Sequence, residues 1–104
     1  MKIVSYEALR ALPAGTIFSY YEPCVFRGLY KKGDTWEYDF ILADLIAPLD
    51  CQNSDDFVKR CEEAEKGTEV PLDFEDYGRE GMFDTKQLYA IYSPDDVKKL
   101  KQSL

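Results

Sequence analysis

The chain has 104 residues, 45% of them hydrophobic, and its 20 Asp and Glu against 13 Lys and Arg give a formal net charge of -7. This length and hydrophobic content predict a single folded domain spanning residues 1–104. The negative charge disfavours direct binding to nucleic-acid phosphates or to an anionic membrane, and it favours a protein partner with a basic surface. Histidine is absent, which removes the usual general base and the commonest metal ligand.

The N-terminal region predicts a short helix followed by a strand. Ser5 is a favourable N-cap, and the turn residues from Pro13 to Gly15 end the helix. The β-branched and aromatic run 16–22 then predicts a strand. Because Pro23 has no N–H, we expect this strand to bend there or to lie at a sheet edge.

The segment Cys24–Leu42 predicts a β-hairpin with its turn at Lys32–Asp34. After that turn, apolar and polar residues alternate with the period of a half-buried strand. Pairing Tyr30 with Trp36 gathers the apolar residues on one face, whereas a slip of one residue mixes the faces. The other cross-strand pairs expected in this register are Phe26 with Phe40, Cys24 with Leu42, Arg27 with Asp39 and Gly28 with Tyr38. The register therefore predicts that Cys24 is a buried, unreactive thiol and not a nucleophile.

The second half predicts a helix over 53–66, ended by Gly67 and capped by Asn53 or Ser54. "TEVPLDFED" and "KQLYAIY" predict strands, and Ser93 with Pro94 starts a closing helix. Several apolar residues are expected to pack inward, on the middle helix Phe57, Val58, Cys61 and Ala64, and on the strand after it Val70, Leu72 and Phe74.

Together these elements predict an α+β fold. Its strands form a strongly curled antiparallel sheet or a small, partly open β-barrel, because the connections between Thr16 and Leu42 are too short for parallel crossovers. The central helix is expected to pack against one side of the sheet, with short helices at both ends of the chain.

Three groups of residues are candidate sites. Asp73, Glu75 and Asp76 offer oxygen ligands for a hard cation, although a polar strand face explains them better. The connection 75–83 carries Tyr77 and Arg79, residue types typical of binding anchors, but it is also readable as a solvated turn. The remaining candidates for an interaction surface are Tyr21 on the first long strand and Glu62 and Glu63 on the central helix.

Neither a catalytic constellation nor a cofactor-binding motif is evident, so we expect a protein without enzymatic activity or bound cofactor. The three cysteines are odd in number and form no C-x-x-C, which predicts reduced thiols and a cytoplasmic protein. The sequence shows no signal-peptide pattern and no apolar run long enough to span a membrane.

Two stretches, "YEALRALPAGTIFSYYEPCVF" and "GMFDTKQLYAIYSPDDVKKL", resemble small, acidic, uncharacterised proteins of bacterial viruses and prophages. The resemblance implies a bacterial host cytoplasm and a host protein as partner. We therefore expect a non-enzymatic interaction module, an acidic modulator or inhibitor that occupies a basic surface as a DNA mimic would. The alternatives are a small-molecule or peptide-binding module with an aromatic pocket, and a metal-dependent enzyme using the carboxylates near residue 75.

Overall fold

The computed structural model describes residues 1–104 and contains three helices and a six-stranded antiparallel sheet. The strand order across the sheet is β1-β6-β2-β3-β4-β5. The elements in chain order are β1 (Lys2–Ser5), α1 (Tyr6–Ala11), β2 (Ile17–Glu22), β3 (Val25–Thr35), β4 (Phe40–Asp44), α2 (Ser54–Glu65), β5 (Gly78–Arg79), β6 (Leu88–Tyr92) and α3 (Pro94–Ser103).

The α+β class and the antiparallel sheet are confirmed, whereas the sheet is open and ends at β1 and β5. A barrel is therefore not confirmed, and neither is a strong curl. Strand β1 was not predicted; it pairs with β6 at the far end of the chain, with Lys2 opposite Ile91. None of the three helices combines the length and the apolar content needed to cross a membrane.

Helix α1 covers one face of the sheet and forms the core with it. Its N-cap is Ser5, as predicted, whose Oγ accepts a hydrogen bond of 3.1 Å from the Ala8 N–H. The helix is short because Pro13 and Gly15 follow it, so it contributes mainly two buried side chains. The buried apolar cluster consists of Tyr6, Leu9, Phe18, Phe40, Tyr89 and Ile91.

Strands β2 and β3 form a tight hairpin that turns at Pro23 and Cys24. Cys24 adopts a positive φ of 65° and is exposed, so its predicted burial is wrong. A proline followed by a positive-φ residue is the pattern of a type II turn, which places both residues outside the ladder. Further along, Gly28 with a φ of 71° and Leu29 both lie opposite Ser19, which makes a bulge of the glycine type.

The register predicted for the second hairpin is also wrong. Strand β3 continues through Lys32 to Thr35, and the turn lies between Thr35 and Phe40, where the Trp36 N–H donates to the Asp39 carbonyl at 2.8 Å. Lys32 is 1% exposed, and its ammonium donates to the Gly33 carbonyl and to the Thr35 hydroxyl at 3.1 and 2.6 Å. The predicted pairs consequently do not form, and the observed pairs across these strands are Tyr30 with Asp44, Lys31 with Ala43, Lys32 with Leu42 and Thr35 with Phe40.

The central helix forms where predicted but does not pack against the sheet. Its N-cap is Asn53, whose side chain accepts from the Asp56 N–H at 2.8 Å. No residue of α2 is buried, and Phe57 and Val58 are 47% and 55% exposed. The helix projects from a short two-stranded base, in which Leu49 and Leu72 form a bridge between the segments before and after it.

The strand predicted after α2 is reduced to that bridge. Leu72 and Phe74 are 45% and 65% exposed, so their predicted inward packing is wrong. The backbone hydrogen bonds here run instead between 48–50 and 71–73, since the Asp50 N–H donates to the Pro71 carbonyl and the Asp73 N–H to the Pro48 carbonyl. Both proline residues lack a donor, which limits the ladder to these few bonds.

The projecting helix leaves the molecule more extended than its length requires. The radius of gyration is 15.8 Å, against about 13 Å for a compact domain of this size. The accessible surface is 7376 Å², against roughly 6,000 Å² for a folded monomer of 12.0 kDa. The chain therefore exposes a surplus of surface, much of it apolar.

Candidate functional site

An open groove lies between helix α3 and the sheet. Its walls come from the loop 12–16, from β3 and from α3. Ile17 pairs with Tyr92 and with Lys31, and side chains alternate along a strand, so these residues face away from the core residue Phe18. The groove thus uses the sheet face opposite α1. Its apolar lining includes Leu12, Ile17, Leu29, Leu45, Val97, Leu100 and Leu104.

The charged residues that line the groove are all basic. Among its 21 lining residues are Lys2, Lys31, Lys98 and Lys101, and none is an aspartate or a glutamate. In a chain where acids outnumber bases 20 to 13, this separation of charge is the distinctive property of the surface. An apolar floor beneath several ammonium groups favours a ligand that is both apolar and negatively charged.

A local contact holds one of these lysines in place, and helix α3 carries another. The Lys31 ammonium lies 5.6 Å from the centre of the Tyr77 ring, and a hydrogen bond with the Tyr77 side chain holds the pKa of Lys31 above its usual value. Lys31 is therefore charged at neutral pH. Lys98 is presented by α3, whose capping box confirms the predicted start of this helix at Ser93.

The N-terminus fastens α3 at the end of the groove. The Met1 ammonium donates to the Asp96 carboxylate at 2.7 Å, and this bond, with those from Ser93, lowers the pKa of Asp96 to about 2. Asp96 is thereby neutralised by its partner, while Lys99 pairs with Asp95 at 3.1 Å on the outer side of the helix. The lysines that face the groove have no such carboxylate partner.

The groove has a volume of about 1440 Å³. Small-molecule sites usually enclose roughly 300–1,000 Å³. A three-turn helix about 18 Å long and about 10 Å wide occupies roughly 1,400 Å³. The volume therefore suits a peptide segment better than a small molecule.

Six of the fifteen aromatic side chains form the core or pack against it. The ring centres of Phe18 and Tyr89 are 5.7 Å apart, and those of Tyr20 and Tyr89 are 5.3 Å apart. Burial, and the nearby Glu80 carboxylate, raise the pKa of both tyrosines far above the usual value, so their hydroxyls are neutral. Tyr92 is the one aromatic residue that lines the groove. The groove is therefore not the aromatic pocket that the sequence suggested as an alternative.

The connection 75–83 carries Arg79, whose guanidinium is already bound within the molecule. Its Nε donates to the buried Asp39 carboxylate at 2.9 Å, and the guanidinium lies 5.2 Å from the centre of the Trp36 ring and 5.9 Å from that of Phe83. Arg79 therefore fastens the loop to the turn between β3 and β4. Tyr77 is similarly engaged with Lys31, at the border of the groove.

The acidic candidates do not gather into one site. Asp73 accepts the Glu75 N–H in a local turn, Glu75 and Asp76 are exposed, and Glu62 and Glu63 lie on the projecting helix. No group of three or more Asp, Glu or Cys side chains is placed to hold a metal ion. Tyr21 is half-buried against the Phe26 ring, and its hydroxyl accepts the Cys24 N–H at 3.2 Å.

The groove is not predictable from the sequence because its residues are far apart in the chain. Four strands, two loop segments and one helix contribute its lining, and no local motif marks them. The one available signal was the spacing of Lys98 and Lys101, which fall on the same side of the predicted last helix as Val97. Comparisons with models of known families, with curated proteins and with solved structures found no match.

Proposed function

We propose that this protein is a non-enzymatic interaction module whose groove binds an acidic, amphipathic segment of another protein. The observation that carries the proposal is the combination of an apolar floor with four lysines and no aspartate or glutamate. Apolar burial supplies affinity to such a contact, while the rim charges select the sign of the ligand and speed its approach. This ligand is opposite in charge to the basic partner expected from the composition.

A helical peptide binding assay tests the proposal. The probe is a fluorescein-labelled peptide of about 14 residues, close to four helical turns, with leucine on one face and glutamate on the other. We expect its anisotropy to rise on titration with the protein and the binding to weaken as salt increases. A peptide in which lysine replaces every glutamate should bind much more weakly.

Charge reversal locates the binding in the groove. The double variant Lys98→Glu/Lys101→Glu should weaken binding of the acidic peptide by at least about tenfold, equivalent to 1.4 kcal/mol. The matched control is Lys86→Glu/Lys99→Glu, which changes net charge equally at residues outside the groove lining. Equal binding of both peptides, or equal loss in both variants, would contradict the proposal.

In a second candidate function, the partner is a protein with a basic surface, as expected from the composition. Helix α2 projects from the molecule with five acidic and two basic residues, so a partner with a basic surface has access to it. In this case, changing Glu62 and Glu63 to lysine should slow association and reduce its dependence on salt. For either candidate, a viral origin, a host protein as the partner and a location in the host cytoplasm are part of the proposal and rest on the sequence resemblance.

A further inference from the structure

We infer that the groove of one copy binds helix α2 of a second copy. The inference rests on the proposed function, because it names the acidic segment that the groove accepts. Two surfaces of the same molecule carry it: a projecting acidic helix with an uncovered apolar side, and an apolar groove with basic residues at its border. The two surfaces are complementary in charge, size and polarity.

Two apolar side chains of α2, Phe57 and Val58, face away from the rest of the molecule. At 100° per residue, Cys61 lies between them, and Asp56 and Glu63 lie on the other side of the helix. Asp56, Glu63 and Cys61 are half-buried, whereas Phe57 and Val58 are exposed. The orientation is thus the reverse of the usual amphipathic helix, which turns its apolar stripe to the core. An outward stripe is the arrangement expected of a helix that docks elsewhere.

The net charge of α2 is opposite in sign to that of the groove lining. The helix carries five acidic and two basic residues, a net charge of -3. Glu62 and Glu65 lie on the same side as Val58, so they would meet the groove border when Val58 enters the floor. Lys98 and Lys101 are the basic residues available to them on α3.

The volume of the helix also fits. Helix α2 has 12 residues, about three turns and about 18 Å. A helix of this length has roughly the volume of the groove, about 1440 Å³. The base formed around Leu49 and Leu72 holds α2 away from its own sheet, so the apolar side is accessible to another copy.

The surplus of exposed surface area supports a contact with a second copy, because such a contact would cover an area of similar size. The accessible area of 7376 Å² exceeds that of a typical 12.0 kDa monomer by roughly 1,400 Å². A specific interface covers about 800 Å² on each partner. Two copies that exchange α2 reciprocally would cover both helices and both grooves, and the two-fold symmetry closes the assembly as a dimer.

Sedimentation velocity on the full chain over a range of concentrations tests this arrangement. The wild-type protein should approach twice 12.0 kDa as concentration rises, and the dimer should weaken with salt. Glu62→Lys/Glu65→Lys reverses the helix charges, and Lys98→Glu/Lys101→Glu reverses the groove charges. Each variant alone should stay monomeric, because its helix and groove then carry charges of the same sign.

Mixing the two variants provides the decisive measurement. Each helix in the mixture then faces a groove of opposite charge, so a dimer of one copy of each variant should reappear. The control Glu37→Lys/Glu69→Lys, with the same charge change at exposed residues outside α2, should dimerise as the wild type does. Recovery on mixing also shows that both variants are folded.

Two outcomes separate this inference from the proposed function. A wild-type mass that stays at 12.0 kDa, while the acidic peptide still binds in the groove, overturns the second-copy assignment and leaves the proposed function intact. Absence of both dimer and peptide binding overturns both. A dimer that persists unchanged in either charge-reversed variant also overturns the inference.

Discussion

The buried Asp39 carboxylate binds the guanidinium of Arg79 across a separation of 40 residues in the chain. Asp39 is 1% exposed, and its other oxygen accepts the N–H groups of Phe40 and Gly81 at 2.8 and 3.1 Å. Burial by itself raises the pKa of Asp39, but these hydrogen bonds and Arg79 outweigh it and hold the pKa below its usual value. A single charged side chain therefore fastens the connection 75–83 to the β3–β4 turn.

Replacing Asp39 with alanine should lower the free energy of unfolding by about 2–3 kcal/mol, because it leaves buried donors without an acceptor. Arg79→Ala should cost less, about 1–2 kcal/mol, because the Asp39 carboxylate loses its cation but keeps the N–H groups of Phe40 and Gly81 as donors. Urea unfolding measures both. Asp50→Ala, at an exposed carboxylate, is the control and should stay within about 0.5 kcal/mol of the wild type. Equal losses of unfolding free energy at Asp39 and Asp50 would show that the contact between Asp39 and Arg79 does not stabilise the protein.

The pKa of Glu80 is shifted upward, in the opposite direction from that of Asp39. Burial raises the pKa of Glu80 above its usual value. The Met82 N–H stabilises one carboxylate oxygen, but the other has no hydrogen-bond partner. An acid whose pKa is raised on folding holds its proton more tightly in the folded state. Its ionisation therefore destabilises the fold as pH rises from the unfolded-state pKa through the folded-state pKa, and the penalty persists at neutral pH.

Glu80→Gln should consequently stabilise the protein near neutral pH by roughly 0.5–1 kcal/mol, the scale of one hydrogen bond. The gain should disappear in acid, below the unfolded-state pKa, where the wild-type carboxyl is protonated in both states. Urea unfolding at about pH 7 and about pH 3.5 measures the difference. Glu69→Gln, at an exposed site, should show no gain at either pH; a Glu80 gain that did not depend on pH would rule out ionisation as its cause.

The helix boundaries were the most predictable part of the fold, because caps are local. Ser5 and Ser93 each accept a backbone N–H from three residues ahead, which sequence spacing alone indicates. The register of β3 was not predictable in this way. Lys32 is a turn residue by composition, yet in the fold its ammonium finds two oxygen acceptors and the residue is buried.

The groove depends on contacts between residues that are still farther apart in the sequence. Lys2 enters it through the pairing of β1 with β6, and that pairing joins the two ends of the chain. The sequence also gives no reason for α2 to leave the sheet, since the apolar stripe of Phe57, Cys61 and Ala64 predicts inward packing as readily as docking on another molecule. Both features follow from tertiary structure.

Cys24→Gly should stabilise the protein by about 0.5–1 kcal/mol, because glycine adopts the positive φ of 65° without contact between Cβ and the backbone. Cys24→Ala retains that strain and should be close to neutral. Thermal unfolding compares the two. In the native wild type, the exposed Cys24 thiol should also react with a thiol reagent before the half-buried Cys51 and Cys61. Slow labelling of Cys24 would contradict the turn geometry.

Gly28→Ala should have the opposite effect. Gly28 has a φ of 71°, and a Cβ there would lie 2.3 Å from the Tyr30 ring, so both strain and overlap oppose the substitution. We expect a loss of about 1–3 kcal/mol in the free energy of unfolding. Gly67→Ala is the control, because Gly67 also has a positive φ but no atom within 4 Å of the added Cβ. A comparable loss at both sites would mean that overlap with Tyr30 contributes little.

Alanine substitutions at Leu9 and Val58 should distinguish an effect on folding stability from an effect on dimerisation. Leu9 lies on α1 and is fully buried, so Leu9→Ala should cost about 2–5 kcal/mol in the free energy of unfolding. Val58 is 55% exposed on α2, so Val58→Ala should change that free energy by less than about 0.5 kcal/mol when the protein is dilute and monomeric. At high concentration the same Val58 variant should dimerise more weakly, because its side chain is expected to enter the groove of the second copy. Urea unfolding of dilute protein and sedimentation of concentrated protein measure the two effects. If Val58→Ala destabilised dilute protein as much as Leu9→Ala does, α2 would be packed on its own sheet in solution and unable to serve as the docking helix.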